Sequence, residues 1–120
     1  MSVLTESLVA IIAVMHFGFL VLEMFLWTKP LGLKVFRNSS EKAKSSAVLA
    51  ANRGLYNGFL AAGLLWSLVN HDSGFAIQLQ FFFLSCVLVA GIFGALSVSR
   101  RILYIQALPA AVGLSLLLLN

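Results

Sequence analysis

Four long apolar runs, at residues 8–27, 47–69, 75–98 and 102–119, constrain this chain more than any other feature. Each is close to the ~20 residues that a helix needs to cross a ~30 Å hydrocarbon layer. None shows the two-residue alternation of a membrane barrel strand. With 61% hydrophobic residues in a chain of 120, the apolar content exceeds what a soluble core of this size absorbs. The expected fold is all-α: a four-transmembrane-helix bundle forming a single integral membrane domain over residues 1–120. The first run has Glu6 as the only charge before it, lacks a small-x-small cleavage site and precedes three further runs, so it is expected to be a retained helix.

The net charge of +4 would suggest nucleic acid in a soluble protein, but its distribution argues against that partner. Lys29, Lys34, Arg37, Lys42 and Lys44 fall between the first and second runs, and Arg100 and Arg101 between the third and fourth. The connection holding His71 and Asp72 has no Lys or Arg, and neither has either terminus. By the positive-inside rule both basic loops are cytoplasmic and both termini outside, as in a multi-pass protein of the cell (inner) membrane. The lipid bilayer is thus the first expected partner. Cys86 has no second cysteine to pair with and is expected to pack as a small, inert thiol.

The loops carry their own signals. Trp27 suits the headgroup level, and Pro30 ends the first helix. Leu31 to Arg37 alternates apolar and basic residues, as expected of an interfacial segment with Leu33 and Phe36 dipping into the membrane. Asn38-Ser39-Ser40-Glu41 reads as a turn and helix start, and Asn70 to Gly74 as a tight external hairpin. In the second run Ala50, Gly54, Gly58 and Ala62 recur every fourth residue, a small-residue stripe that lets another helix approach closely. The Phe81-Phe82-Phe83 run reads as lipid-facing or packing bulk. Pro109 removes a hydrogen bond from the fourth helix and frees the carbonyl of Ile105 beside Gln106.

Against this apolar background the polar residues inside the spans stand out, because an ionisable group in hydrocarbon costs several kcal/mol. Counting from the cytoplasmic ends at 1.5 Å per residue, Glu23 lies roughly 6 Å deep, Arg53 about 9 Å, and Gln106 at a similar level. Asn52 and Asn57 share that half of the second span. His16, seven residues before Glu23, returns to within about 20° of the same helix face. Glu23, His16, Asn52, Arg53, Asn57 and Gln106 are therefore the candidate ligand-binding or proton-carrying residues. His16, Glu23 and Cys86 have no recognised ligand spacing, so no metal site is expected, and no sequence feature names a cofactor.

The strings Leu22-Glu23-Met24-Phe25-Leu26-Trp27, Asn52 to Ala61 and Gln106 to Ala110 resemble the bacterial membrane family called domain of unknown function 1304 in length, span order and motif order. Members of that family often have glutamine at the position of Arg53, so the resemblance implies that Glu23, Asn52, Asn57 and Gln106 form the shared site. A second, architectural similarity is to the membrane-associated eicosanoid and glutathione metabolism proteins, in which Asn52, Arg53 and Asn57 fall in the comparable region. It implies a trimer that binds glutathione between subunits, although the glutamate expected nearby on helix two is absent here.

Three functions fit these features. One is transport or binding of a small or amphiphilic ligand at a polar intramembrane site in the cytoplasmic half. This is the preferred reading, and it implies a homo-oligomer, dimer or trimer, because four helices barely enclose a pathway. The second is a membrane enzyme acting on a lipophilic or conjugated substrate, with His16 or Glu23 as acid or base. The third is a structural or assembly partner without a ligand.

Overall fold

A computed structural model describes residues 2–119, and among these it contains α-helices and a π-helical turn with no strand. Helix α1 (Val3–Met24) is capped by Ser2, whose Oγ accepts the Thr5 N–H at 3.1 Å. It carries no proline and is built largely of Leu, Val and Ile. Helix α2 (Pro30–Phe36) starts with proline at its first position, where the missing N–H costs nothing, and ends at Arg37 in the left-handed conformation (φ 55, ψ 43). Helix α3 (Ser40–Val69) is 30 residues long, roughly 45 Å, and begins after Ser39, whose Oγ accepts the Lys42 N–H at 3.1 Å. Helix α4 (Ser73–Ser97) is capped by Asp72, which accepts from Gly74 and Phe75. The expected hairpin at Asn70 to Gly74 is the turn that forms this cap.

The last segment opens with a π-helical turn (Leu103–Ala107) and continues as α5 (Leu108–Leu119). Pro109 has no N–H to offer Ile105, and the chain answers by widening the preceding turn, so that Leu108 N–H bonds to Leu103 O. α1 and α4 are long and apolar enough to cross a membrane. α3 has the length, but Asn52, Arg53, Asn57 and its charged first turns lower its apolarity, and the apolar segment Leu103–Leu119 is shorter.

The chain divides into two compact units. One comprises residues 14–61: the second half of α1, all of α2 and most of α3. Its core holds Trp27, Ala43 and Ala50, with Leu33, Phe36 and Ala47 packed against them. Leu33 and Phe36 thus cover Trp27 instead of pointing away from the protein, and Trp27 is buried rather than placed at an open surface. The α2 backbone approaches so closely here that any side chain at Gly32 would meet the carbonyl of Leu26. The indole thus covers part of the apolar side of α2, while Leu31 remains exposed.

The other unit takes the described residues on either side. Within it Gly91 lies against the backbone of Ala107, Gly113 against Leu84, and Phe83 fills the space over Gly63. Phe82 is exposed and Phe83 half-buried, so the aromatic run divides between outer surface and packing.

Candidate functional site

The site is set up by two helical stripes in the unit of residues 14–61. On α1 the buried positions His16 and Glu23 are separated by seven residues, two full turns, and continue the stripe of Thr5, Val9 and Ile12. On α3 a run of buried or half-buried positions includes Ala43, Ala47, Ala50, Gly54, Asn57 with Gly58, and Ala61. These steps of three and four hold one face. A strict every-fourth series drifts about 40° per step, and Ala62, its expected last member, is exposed. The small-residue stripe therefore packs as expected at Ala50, Gly54 and Gly58 but passes to Ala61 instead of Ala62.

Gly54 fixes the spacing at the site. A Cβ there would lie 3.0 Å from Glu23 Cβ and 2.9 Å from Met24 Cγ, so the α3 backbone rests directly on the Glu23 turn of α1. The carboxylate is consequently within reach of α3 side chains on both sides of Gly54. Arg53 Nε donates to Glu23 Oε2, forming an ion pair, and Asn57 Nδ2 donates to Glu23 Oε1 at 2.5 Å. Both carboxylate oxygens thus have a donor from the same helix.

The two charged partners differ in exposure: the Glu23 side chain is 4% exposed and that of Arg53 50%. The Arg53 guanidinium carbon also lies 5.3 Å from the Trp27 ring centroid, within cation–π range. Trp27 itself is fixed by its Nε1–H donating to Ser46 Oγ at 3.2 Å and by Phe36, whose ring centroid is 4.7 Å away. Ser46 in turn donates to the carbonyl of Lys42 at 2.7 Å. Glu23, Arg53, Asn57, Trp27 and Ser46 therefore form one connected polar and aromatic chain. Chemically it is a buried anionic anchor that holds a cationic head at the surface of the unit.

The model of the family described as protein of unknown function (DUF1304) matches residues 10–118, which include the whole of this cluster. The chain belongs to the DUF1304 family. An uncharacterized protein of Lactococcus lactis subsp. lactis (strain IL1403), YpaA, is 26% identical over 108 residues, covering 88% of this chain and 89% of its own. No solved structure matches.

Among the six candidate residues of this DUF1304 chain, the structure brings together Glu23, Arg53 and Asn57. His16 is fully buried two turns from Glu23 on α1, with its ring 5.1 Å from that of Phe19. Asn52 is exposed, one position and about 100° around α3 from Arg53, and the donors to the Glu23 carboxylate are Arg53 and Asn57. Gln106 is half-buried in the π-helical turn, within the other unit.

The sequence reading missed the part played by Trp27 and Ser46, and it passed over three buried polar residues, Thr5, Ser67 and Gln80. A spacing signal existed for Gln80. It stands with Ala76, Leu84, Val87 and Gly91 at steps of three and four, so it occupies the buried stripe of an apolar helix.

Proposed function

We propose that this DUF1304 protein is a four-span protein of the cell membrane that binds or moves a small or amphiphilic ligand through the Glu23–Arg53–Asn57 cluster. The spans are those of the four apolar runs, with both termini outside and the two basic loops in the cytoplasm, so the cluster lies in the cytoplasmic half. A hydrocarbon setting is supported by the many large apolar side chains left exposed on the helices, among them Val14, Phe17, Val89, Phe93 and Leu118. On this reading the protein works as a dimer or trimer.

One observation carries the ligand-binding reading: a buried carboxylate with both oxygens occupied holds an arginine whose side chain is left half-exposed. A pair serving only to lock two helices has no use for further donors, yet only the Nε of Arg53 is engaged by Glu23 and the η nitrogens have no hydrogen-bond partner among the described residues. Here Glu23 and Asn57 hold Arg53 in place instead, and the guanidinium is the available member.

Native mass spectrometry of the protein extracted in lipid tests this function. The expected spectrum shows a dimer or trimer carrying a small-molecule adduct that is depleted in the Asn57→Ala and Glu23→Gln variants. An adduct pattern identical in wild type and both variants, or a bare monomer, would overturn it.

A further inference from the structure

Resting on the proposed ligand site, the chemistry of Arg53 defines what that ligand carries. A guanidinium has five N–H donors in a planar fork. Glu23 takes the one on Nε, leaving the four on the η nitrogens, which have no hydrogen-bond partner among the described residues. The Trp27 ring lies against the guanidinium, and the indole is itself held by Ser46 and Phe36. The fork is therefore oriented before anything binds, which lowers the entropy cost of a two-point contact. Planar pairs of N–H donors match the paired oxygens of phosphate and carboxylate.

The surroundings favour the same charge. Residues 14–61 contain Lys29, Lys34, Arg37, Lys42, Lys44 and Arg53 against Glu23 and Glu41, and the five cations other than Arg53 lie in or beside α2 and at the start of α3, all exposed. Glu23 neutralises Arg53 locally, but the field of the unit remains positive. On the side of Arg53 away from Asn57, Leu49 and Tyr56, 74% and 56% exposed, lie within about 60° of it around α3 and present large, mainly apolar side chains. A charged fork flanked by exposed apolar side chains fits a molecule with an anionic head and an apolar body.

We infer that Arg53 is the head-recognition residue of an anionic amphiphile, whose phosphate or carboxylate is bound by the two η nitrogens while Glu23 and Trp27 hold the guanidinium in position. The head belongs either to a bilayer lipid or to a soluble phosphorylated or carboxylated amphiphile, and the chemistry is the same for both.

The test is equilibrium binding of radiolabelled dodecyl phosphate to the protein in phosphatidylcholine nanodiscs, with empty nanodiscs subtracted. Saturable binding is expected, weakened about ten- to a hundredfold in Arg53→Gln, as for loss of charge-assisted bonds, and little changed in Lys44→Gln. Because Arg53→Gln leaves Glu23 buried without its cation, the double variant Glu23→Gln/Arg53→Gln is measured beside it. This variant has no stranded charge and is expected to stay monodisperse and to lose binding equally. Competition by phosphatidylglycerol in the nanodisc supports the inference and assigns the head to a lipid, and competition by inorganic phosphate supports it and assigns the head to a soluble ligand. Dodecanol bound as tightly as dodecyl phosphate would overturn the anionic head while leaving an amphiphile site, and no saturable binding of either would overturn both. Equal losses in Lys44→Gln and Arg53→Gln would overturn the assignment to Arg53, since a diffuse basic surface behaves that way.

Discussion

At the scale of single residues, the Glu23–Arg53 pair is unequal, and the inequality has a measurable consequence. Removing Arg53 leaves a buried carboxylate with only Asn57, whereas removing Glu23 leaves a guanidinium that is already half in contact with its surroundings. Stranding a buried charge costs about 3–5 kcal/mol, whereas the long, half-exposed Arg53 side chain can turn toward the polar headgroups once Glu23 is gone. Arg53→Ala is therefore expected to lower the melting temperature in detergent clearly more than Glu23→Ala does. Equal losses would mean that the pair shares its burial. Gln80 offers a second residue-scale prediction. Its side chain is fully buried, and neither Oε1 nor Nε2 has a hydrogen-bond partner among the described residues. Leucine has a similar volume and no polar atoms to desolvate, so Gln80→Leu is expected to stabilise the protein by about 1–2 kcal/mol, read as a higher melting temperature. Arg37 behaves comparably at the backbone level. It closes α2 at φ 55, where a side chain is strained and glycine is not, so Arg37→Gly is expected to cost nothing in the same assay and to gain up to about 1 kcal/mol.

At the scale of elements, the contact between α1 and α3 within residues 14–61 depends on Gly54. A methyl group there would collide with Glu23 Cβ and Met24 Cγ, and the Leu20 carbonyl stands at 3.3 Å, so α1 has to move for it to fit. Gly54→Ala is expected to destabilise by about 1–3 kcal/mol, and Gly54→Val to abolish the cluster. Ala62→Leu is the informative comparison: on a strict every-fourth stripe it would be equally harmful, but Ala62 is exposed and the substitution is expected to change the melting temperature little. This contrast also shows how far the sequence was legible. The composition of the stripe was visible because small residues have no other reason to cluster at helical spacing. Its final register was not, because 3.6 residues per turn lets a buried face shift from Ala62 to Ala61 without any change in composition. Glu23, Arg53 and Asn57 were legible because polar groups in apolar runs need partners. Asn52 obeyed the same rule of composition, yet it faces outward, since adjacent helical positions diverge by about 100°. The packing of Trp27 was not legible for a different reason: an indole at the end of an apolar run gives no sign of a returning helix, and only the path of α2 brings Leu33 and Phe36 against it.

At the scale of the whole molecule, the proposed topology turns on charge and is open to a direct chemical test. α1 and α4 have the length and apolarity to cross a bilayer, while α3 carries Asn52, Arg53 and Asn57 and the segment Leu103–Leu119 is short. Four crossings therefore require that α3 enter the membrane with its polar groups satisfied. Glu23 meets two of these, accepting from Arg53 and Asn57, so the cluster that is proposed to bind a ligand also lowers the cost of inserting α3. Two crossings by α1 and α4 alone would leave the start of α3, with Lys44, and the turn holding His71 on the same side, because no crossing separates them. Four crossings put them on opposite sides, with the basic loop inside. With Cys86 replaced by alanine, single cysteines introduced as Lys44→Cys and His71→Cys are exposed reporters for a membrane-impermeant maleimide. In intact spheroplasts His71→Cys is expected to be labelled and Lys44→Cys to be labelled only after the membrane is opened. Labelling of both, or of neither, before opening would place the two positions on one side, and α3 would then not cross.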